Sequence, residues 1–264
     1  MKTGMADAKY WDDRARRFGH TGWADPAVYA FDQLARLAAV ERVLAAATVG
    51  RGLALDFGAG SGDFSRLLAK YFTKVSAFDI SPVVTAHAQA KYGRIANIEF
   101  RHGASVKDLP LADGSIDLIL SVTVLGHILD DSECRDILSF FRRKIVAGGI
   151  FVALEATPAA ERDGGGYQCF RTREHLRELF GEAGFTLQQQ YGFYNPEEQA
   201  SQSYNRYAGD FRVRLLKKLK LGKLAHALYG STAGKILTAE NDCFRDATAE
   251  DPMSLMIFAA NAES

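Results

Sequence analysis

Three cysteines in 264 residues, at 134, 169 and 243, are too few and too far apart for a disulfide framework, and none stands in a C-x-x-C pair that would suggest zinc. No set of His, Asp and Glu shows metal-ligand spacing, so no metal is expected. No run of about eighteen apolar residues occurs that would cross a membrane, and the opening M-K-T-G-M-A-D-A-K lacks the apolar stretch of a secretory signal. Net charge is also missing: 32 basic residues balance 32 acidic ones, which argues against a general nucleic-acid binder. A soluble, cytoplasmic protein is expected, and with 47% hydrophobic residues it can bury a sizeable core.

Residues 53–63, L-A-L-D-F-G-A-G-S-G-D, are an apolar strand ending in an acid and a turn with glycines at 58, 60 and 62. Glycine lacks the Cβ that would block a sharp turn or a close approach of backbone to ligand. A dinucleotide would lay its pyrophosphate on the following helix and show G-x-G-x-x-G, but here the last position is Asp63. With Asp56 and Asp63 flanking the turn, the sequence predicts repulsion of a pyrophosphate. S-adenosylmethionine, which has no phosphate and carries an ammonium and a sulfonium, suits it better. An NAD(P)-dependent oxidoreductase is the rival enzyme, and a non-catalytic S-adenosylmethionine-binding regulatory subunit the rival outside catalysis.

From residue 53 to about 160, apolar runs alternate with helical faces, the pattern of a parallel sheet wrapped by helices. Strands are expected at 53–57, 74–79, 98–101, 116–121 and 150–155. The face Cys134, Ile137, Leu138, Phe141, Ile145 predicts a helix that stops at Gly148 and Gly149. Thr172 is the expected cap of a further helix, followed by strands at 185–191 and 254–260. Residues 1–50 are read as an N-terminal helical cap with a helix from about Pro26. Residues 51–194 and 253–264 are read as the catalytic core. Residues 195–252, too long for a plain loop, are read as a helical lid inserted before the last strand.

Asp79 ends the second strand nineteen residues after Gly60, where a carboxylate can accept both ribose hydroxyls of an adenosyl group. Ile80 beside it is expected to pack on adenine.

The D-F-G-A-G-S-G turn, Asp79 and the fourth strand, S-I-D-L-I-L-S-V-T-V-L-G-H-I, resemble the class I S-adenosylmethionine-dependent methyltransferases over residues 30–192. The resemblance implies an α/β Rossmann-like sheet of order 3-2-1-4-5-7-6 and transfer of a methyl group to a small molecule. It implies that Asp56, Gly58, Ala59 and Gly60 form the methionine end, and that Ser121 and Val122 flank the sulfonium. The family's acid after the third strand is replaced by Ala104, leaving Ser105 and Val106 to meet the adenine. Over F-D-Q-L-A-R-L the chain is also similar to ubiquinone O-methyltransferases, which makes Arg36 the partner of the cofactor carboxylate, or else an exposed arginine on a helix face.

If the acceptor is a hydroxyl, His127 in V-L-G-H-I is the candidate base, unless it only fixes the turn before Asp130. His20, with Trp23 and Tyr29, is the next candidate for covering the cofactor and touching the acceptor, or is packing within the cap. Between Arg206 and Lys235 stand eight basic residues and one acid, interleaved with leucines. That segment is a solvated helix, a lid over an anionic, sugar- or lipid-linked acceptor, or a contact with an anionic membrane surface. The sequence leaves the acceptor and the oligomeric state open.

Overall fold

The computed structural model describes residues 8–24, 26–193, 211–221, 224, 245–246 and 251–261. Helices α1 (Ala8–Phe18) and α2 (Pro26–Ala46) come first, then β1 (Leu53–Phe57), α3 (Asp63–Leu68), β2 (Lys74–Asp79), α4 (Pro82–Tyr92) and β3 (Ile98–His102). β4 (Ile116–Val122), α5 (Asp131–Lys144) and β5 (Ile145–Ala156) follow. A small hairpin, β6 (Arg162–Asp163) with β7 (Cys169–Phe170), leads to α6 (Arg173–Glu182) and β8 (Phe185–Phe193). After α7 (Phe211–Lys218) and β9 (Arg245–Asp246), β10 (Met253–Ala260) is the last strand along the chain.

The sheet order is β3-β2-β1-β4-β5-β10-β8-β9. Strands β1 to β5 pair in parallel, while β10 runs antiparallel between β5 and β8. Its first seven strands have the expected order, with β10 and β8 as the strands expected seventh and sixth. The reversed strand separates this sheet from the dinucleotide order, in which all six strands are parallel. Arg245–Asp246 adds a two-residue edge strand on β8, where only helix was expected.

Alternation along each strand splits the core into two layers. Leu55 and Phe57 of β1 join Ile119, Phe141, Phe151 and Phe180 on the α5–α6 face. Ala54 joins Val40, Leu44 and Leu68 on the α2–α3 face. Local signals start the helices. Ser81 Oγ accepts from Val84 N (3.0 Å) ahead of Pro82, Asp130 accepts from Ser132 N (2.8 Å) and Glu133 N (3.1 Å), and Thr172 Oγ1 accepts from His175 N (3.2 Å).

One boundary differs from expectation. α5 ends at Lys144, and Ile145, expected on its buried face, instead pairs with Ile116 in the sheet. The register then jumps to Leu118 opposite Ile150, so residues 146–149 bulge out of the ladder with Gly148 at φ +76°. The glycine pair thus serves a strand bulge rather than a helix end. Of the expected lid, residues 211–221, 224, 245–246 and 251–252 are described, and the rest lies outside the described residues.

Candidate functional site

β1 delivers its turn to the carboxyl edge of the sheet, and three glycines there have left-handed backbone, Gly58 at φ +75°, Gly60 at +52° and Gly62 at +76°. A Cβ on Gly58 would lie 2.3 Å from Val124 Cγ2, so this glycine is required by contact as well as by φ. The amides of Gly58 and Ala59 both donate to the Phe78 carbonyl at 2.8 Å, and that of Gly60 donates to Asp79 Oδ2 at 3.0 Å. The turn is thereby pinned to the end of β2 beneath a cavity lined by Gly58, Ala59, Gly60, Phe78, Asp79 and Ile80.

Asp79 is half-buried and also accepts from Ser81 N through Oδ1 (2.9 Å). Burial pushes its carboxyl up to about 6 despite the Ser81 and Gly60 amides. Each oxygen has spent one lone pair on backbone, so acceptor capacity remains for a pair of ribose hydroxyls.

Across the cavity, Arg36 of α2 is half-buried rather than exposed on a helix face. Its fork grips Asp32 (Nε to Oδ1 3.0 Å, Nη2 to Oδ2 2.7 Å), and Nη1 donates to Thr123 Oγ1 at 3.2 Å. These bonds engage three of the five guanidinium protons, and the others remain to meet a carboxylate. Glycine turn, Asp79 carboxylate and Arg36 guanidinium are chemically suited to S-adenosylmethionine, and Val122 is also on the wall.

The structure moves several expected residues out of the cavity. Asp56 shares the α2–α3 face of β1 with Ala54, so it points under the turn, where it accepts from Ser65 Oγ at 2.5 Å. There burial pushes its carboxyl up to about 7. Asp63 is no free charge facing a ligand. It pairs with Lys91 (2.8 Å) and accepts from Ser61 Oγ (2.7 Å) and the Tyr92 hydroxyl. Burial alone would raise it, but the bonds from Lys91, Tyr92 and Ser61 outweigh burial and hold it below the usual carboxylate range. The expected repulsion of a pyrophosphate by these two acids therefore fails, and strand order carries the case against a dinucleotide instead.

Ser105 accepts from Lys107 N (3.2 Å) to cap the 3-10 turn Val106–Asp108, and Val106 is in the core, so neither lines the cavity. Ser121 is buried and donates to Glu155 (3.3 Å), because it shares with Ile119 the face of β4 that turns toward α5. Phe78 also lines the cavity, though nothing in the sequence pattern marks it.

The outer wall comes from the N-terminal segment and the loop after β4. Tyr29 lines the cavity and bonds Ser61 Oγ through its hydroxyl (3.0 Å). His20 stacks behind Tyr29, centroids 3.6 Å apart, and is not itself on the wall. Trp23 is 55% exposed, with its indole donating to Asp32 at 3.0 Å, so it does not cover the site. Trp11 does so instead. It lines the cavity and meets the His127 ring edge to face at 4.6 Å. The signal was present in Y-W-D-D-R, where Tyr10 stacks on Tyr167 and Asp12 accepts from Ser81 Oγ, which fastens α1 over α4.

His127 lines the cavity, and its Nδ1 bonds the Tyr167 carbonyl at 2.9 Å. Burial lowers its pKa, chiefly, with Arg14 acting in the same direction. Among the described residues no group of three or more His, Cys, Asp or Glu could hold a metal ion, and no helix is long and apolar enough to cross a membrane.

The methyltransferase-domain family matches residues 54–149. A Mycolicibacterium smegmatis protein bearing the name probable S-adenosylmethionine-dependent methyltransferase is 30% identical over 149 residues, 53% of this chain and 54% of that protein. The dimethylglycine N-methyltransferase of Parasynechococcus marenigrum is 30% identical over 176 residues, 62% of this chain and 60% of that one. The chain thus spans little more than half the length of these curated relatives. A Haemonchus contortus phosphoethanolamine N-methyltransferase 2, solved with phosphomonomethylethanolamine and S-adenosylhomocysteine, superposes with TM-score 0.62 at 16% identity, covering 96% of this chain and 60% of that one. Strand order and a cavity at the carboxyl ends of β1, β2 and β4 give this chain the class I methyltransferase fold, and within it residues 54–149 match the methyltransferase domain.

Proposed function

We propose that this chain transfers a methyl group from S-adenosylmethionine to the hydroxyl oxygen of a small molecule, with His127 as general base. The observation that carries the oxygen assignment is the bond from His127 to the Tyr167 carbonyl. A carbonyl only accepts, so Nδ1 holds the ring proton and Nε2 keeps its lone pair. A neutral imidazole on the cavity wall, kept neutral by burial, is suited to take a hydroxyl proton. S-adenosylmethionine supplies a methyl already activated by its sulfonium. The protein's part is alignment and exclusion of water, with Arg36 for the carboxylate, Asp79 for the ribose and the Trp11–Tyr29 wall for the acceptor.

A nitrogen acceptor is the second reading, favoured by the names of the dimethylglycine and phosphoethanolamine enzymes. A neutral amine brings its own lone pair and needs no base. The basic stretch at 206–235 supports an anionic or lipid-linked acceptor, or contact with an anionic membrane surface. Within it Phe211 is 75% and Leu219 58% exposed, beside exposed Lys218 and Lys220. Residues 1–50 would then act as the cap and 195–252 as the lid of this site.

Incubation with methyl-labelled S-adenosylmethionine and a fractionated small-metabolite extract, followed by fragmentation of the labelled product, tests the assignment. Label on oxygen that falls ~10²- to 10⁴-fold in His127→Gln supports it. Label on nitrogen at an undiminished rate in that variant rules it out.

A further inference from the structure

The loop joining β4 to α5 carries His127 in a 3-10 turn, Leu125–His127, whose start has no side-chain cap of its own. Thr123, just before it, has φ +55°, a left-handed backbone that a β-branched residue adopts only when its surroundings hold it there. Two buried charges outside the cavity do that holding.

Glu155 stands near the end of β5, 3% exposed. Its Oε1 accepts from the amides of Val124 (2.9 Å) and Leu125 (3.0 Å), and Oε2 is 3.4 Å from the amide of Gly126. Arg171, 4% exposed, lies between β7 and α6. Its Nη1 donates to the Leu125 carbonyl (2.9 Å), its Nη2 to the Ile128 carbonyl (2.8 Å), and its Nε to Asp131 Oδ1 (2.8 Å). The turn's donors therefore end on an acid and its acceptors on a guanidinium. The same β6–β7 hairpin that leads to Arg171 supplies the Tyr167 carbonyl to His127 Nδ1 and the Cys169 thiol to the Ile128 carbonyl (3.3 Å).

We propose that Glu155 and Arg171 are positioning residues, which clamp residues 124–128 from opposite sides so that His127 is held against Tyr167 with Nδ1 protonated and Nε2 free. Neither touches the cavity, yet each fixes the backbone on which the ring is mounted. An apolar pair would fill the space but leave buried amides and carbonyls unpaired, at a cost of about 1–3 kcal/mol for each such group. A guanidinium suits the second position because its planar fork reaches two carbonyls at once, which an ammonium does not. The clamp deepens the reading of His127 as a base, but the ring's tautomer can be measured whether or not a base is needed.

The test is a long-range proton–nitrogen correlation spectrum of the full chain labelled at histidine nitrogen, with saturating S-adenosylhomocysteine at pH 8. That pH lies above the value of about 7 to which burial pushes Glu155. His127→Gln assigns the signal. The wild type is expected to show His127 in the Nδ1–H form. Glu155→Gln, which keeps the volume, and Arg171→Lys, which keeps the charge, are each expected to turn it into a mixture of tautomers. Their calorimetric affinity for S-adenosylhomocysteine is expected to stay within about threefold of wild type, about 0.7 kcal/mol. A wild-type ring that is already a mixture overturns the proposal, whether or not either variant folds. Folded variants that keep a pure Nδ1–H ring overturn it as well, as does a loss of cofactor-analogue affinity beyond about tenfold, which would mean general damage to the pocket. Methyl transfer by His127→Gln judges the base and the ring tautomer judges the clamp, so either can fail alone.

Discussion

Asp79 Oδ2 lies 3.0 Å from the Gly60 amide, so the residue proposed to hold the ribose also anchors the glycine turn. One side chain thus couples the end of β2 to the turn after β1. The turn is pre-formed by contacts inside the protein, which limits the ordering that binding must supply.

Gly58→Ala should lower the melting temperature by roughly 3–8 °C. A left-handed alanine costs about 1–2 kcal/mol, a chain of this size shifts about 2–4 °C per kcal/mol, and the new methyl would meet Val124 Cγ2. Adding Val124→Ala should recover the contact part and leave the φ part. Differential scanning fluorimetry measures both, and an unchanged melting temperature in the single variant would show the turn to be looser than described.

Arg36→Met should destabilise the fold by roughly 3 kcal/mol in urea denaturation, because it strips the buried Asp32 of its bidentate partner. Replacing Asp32 by Asn in the same chain should cost less than the two single changes summed, since they share one interaction. Strict additivity would mean that the pair is not coupled.

Asp56→Asn should change how stability depends on pH. Burial raises the Asp56 carboxyl to about 7 from an ordinary 3.8. Between those values the folded state holds a proton that the unfolded state has released. The wild type is therefore favoured fully below 3.8 and loses that advantage as pH climbs toward 7, after which the loss is constant. Asn carries no such proton, so its stability relative to wild type should rise across pH 4–7 and then level off. A relative stability that is flat over this range in chemical denaturation would show that Asp56 keeps an ordinary pKa.

What was legible in the sequence was local. β1, the Thr172 cap, Asp79 at a strand end and the glycine turn each have their cause within a few neighbouring residues. What was not legible depends on partners brought together by the sheet. Asp63 reads as a free acid until α4 brings Lys91, 28 positions away, against it. Asp56 reads as a ligand until strand alternation turns it toward α3. Trp23 and Trp11 are equally aromatic in sequence, and only the docking of α1 on α4 decides which one reaches the cavity. Glu155 and Arg171 gave weak signals, an acid closing an apolar strand and an arginine before a cap, whose meaning appears only when both meet one loop.

Isothermal titration of S-adenosylhomocysteine into wild type and Asp79→Ala tests the cofactor site most directly, with melting temperatures measured alongside. The site described here predicts binding by the wild type and an affinity at least tenfold weaker in the variant, about 1.4 kcal/mol or more. No binding by the wild type, or equal affinity in a folded Asp79→Ala protein, would contradict it.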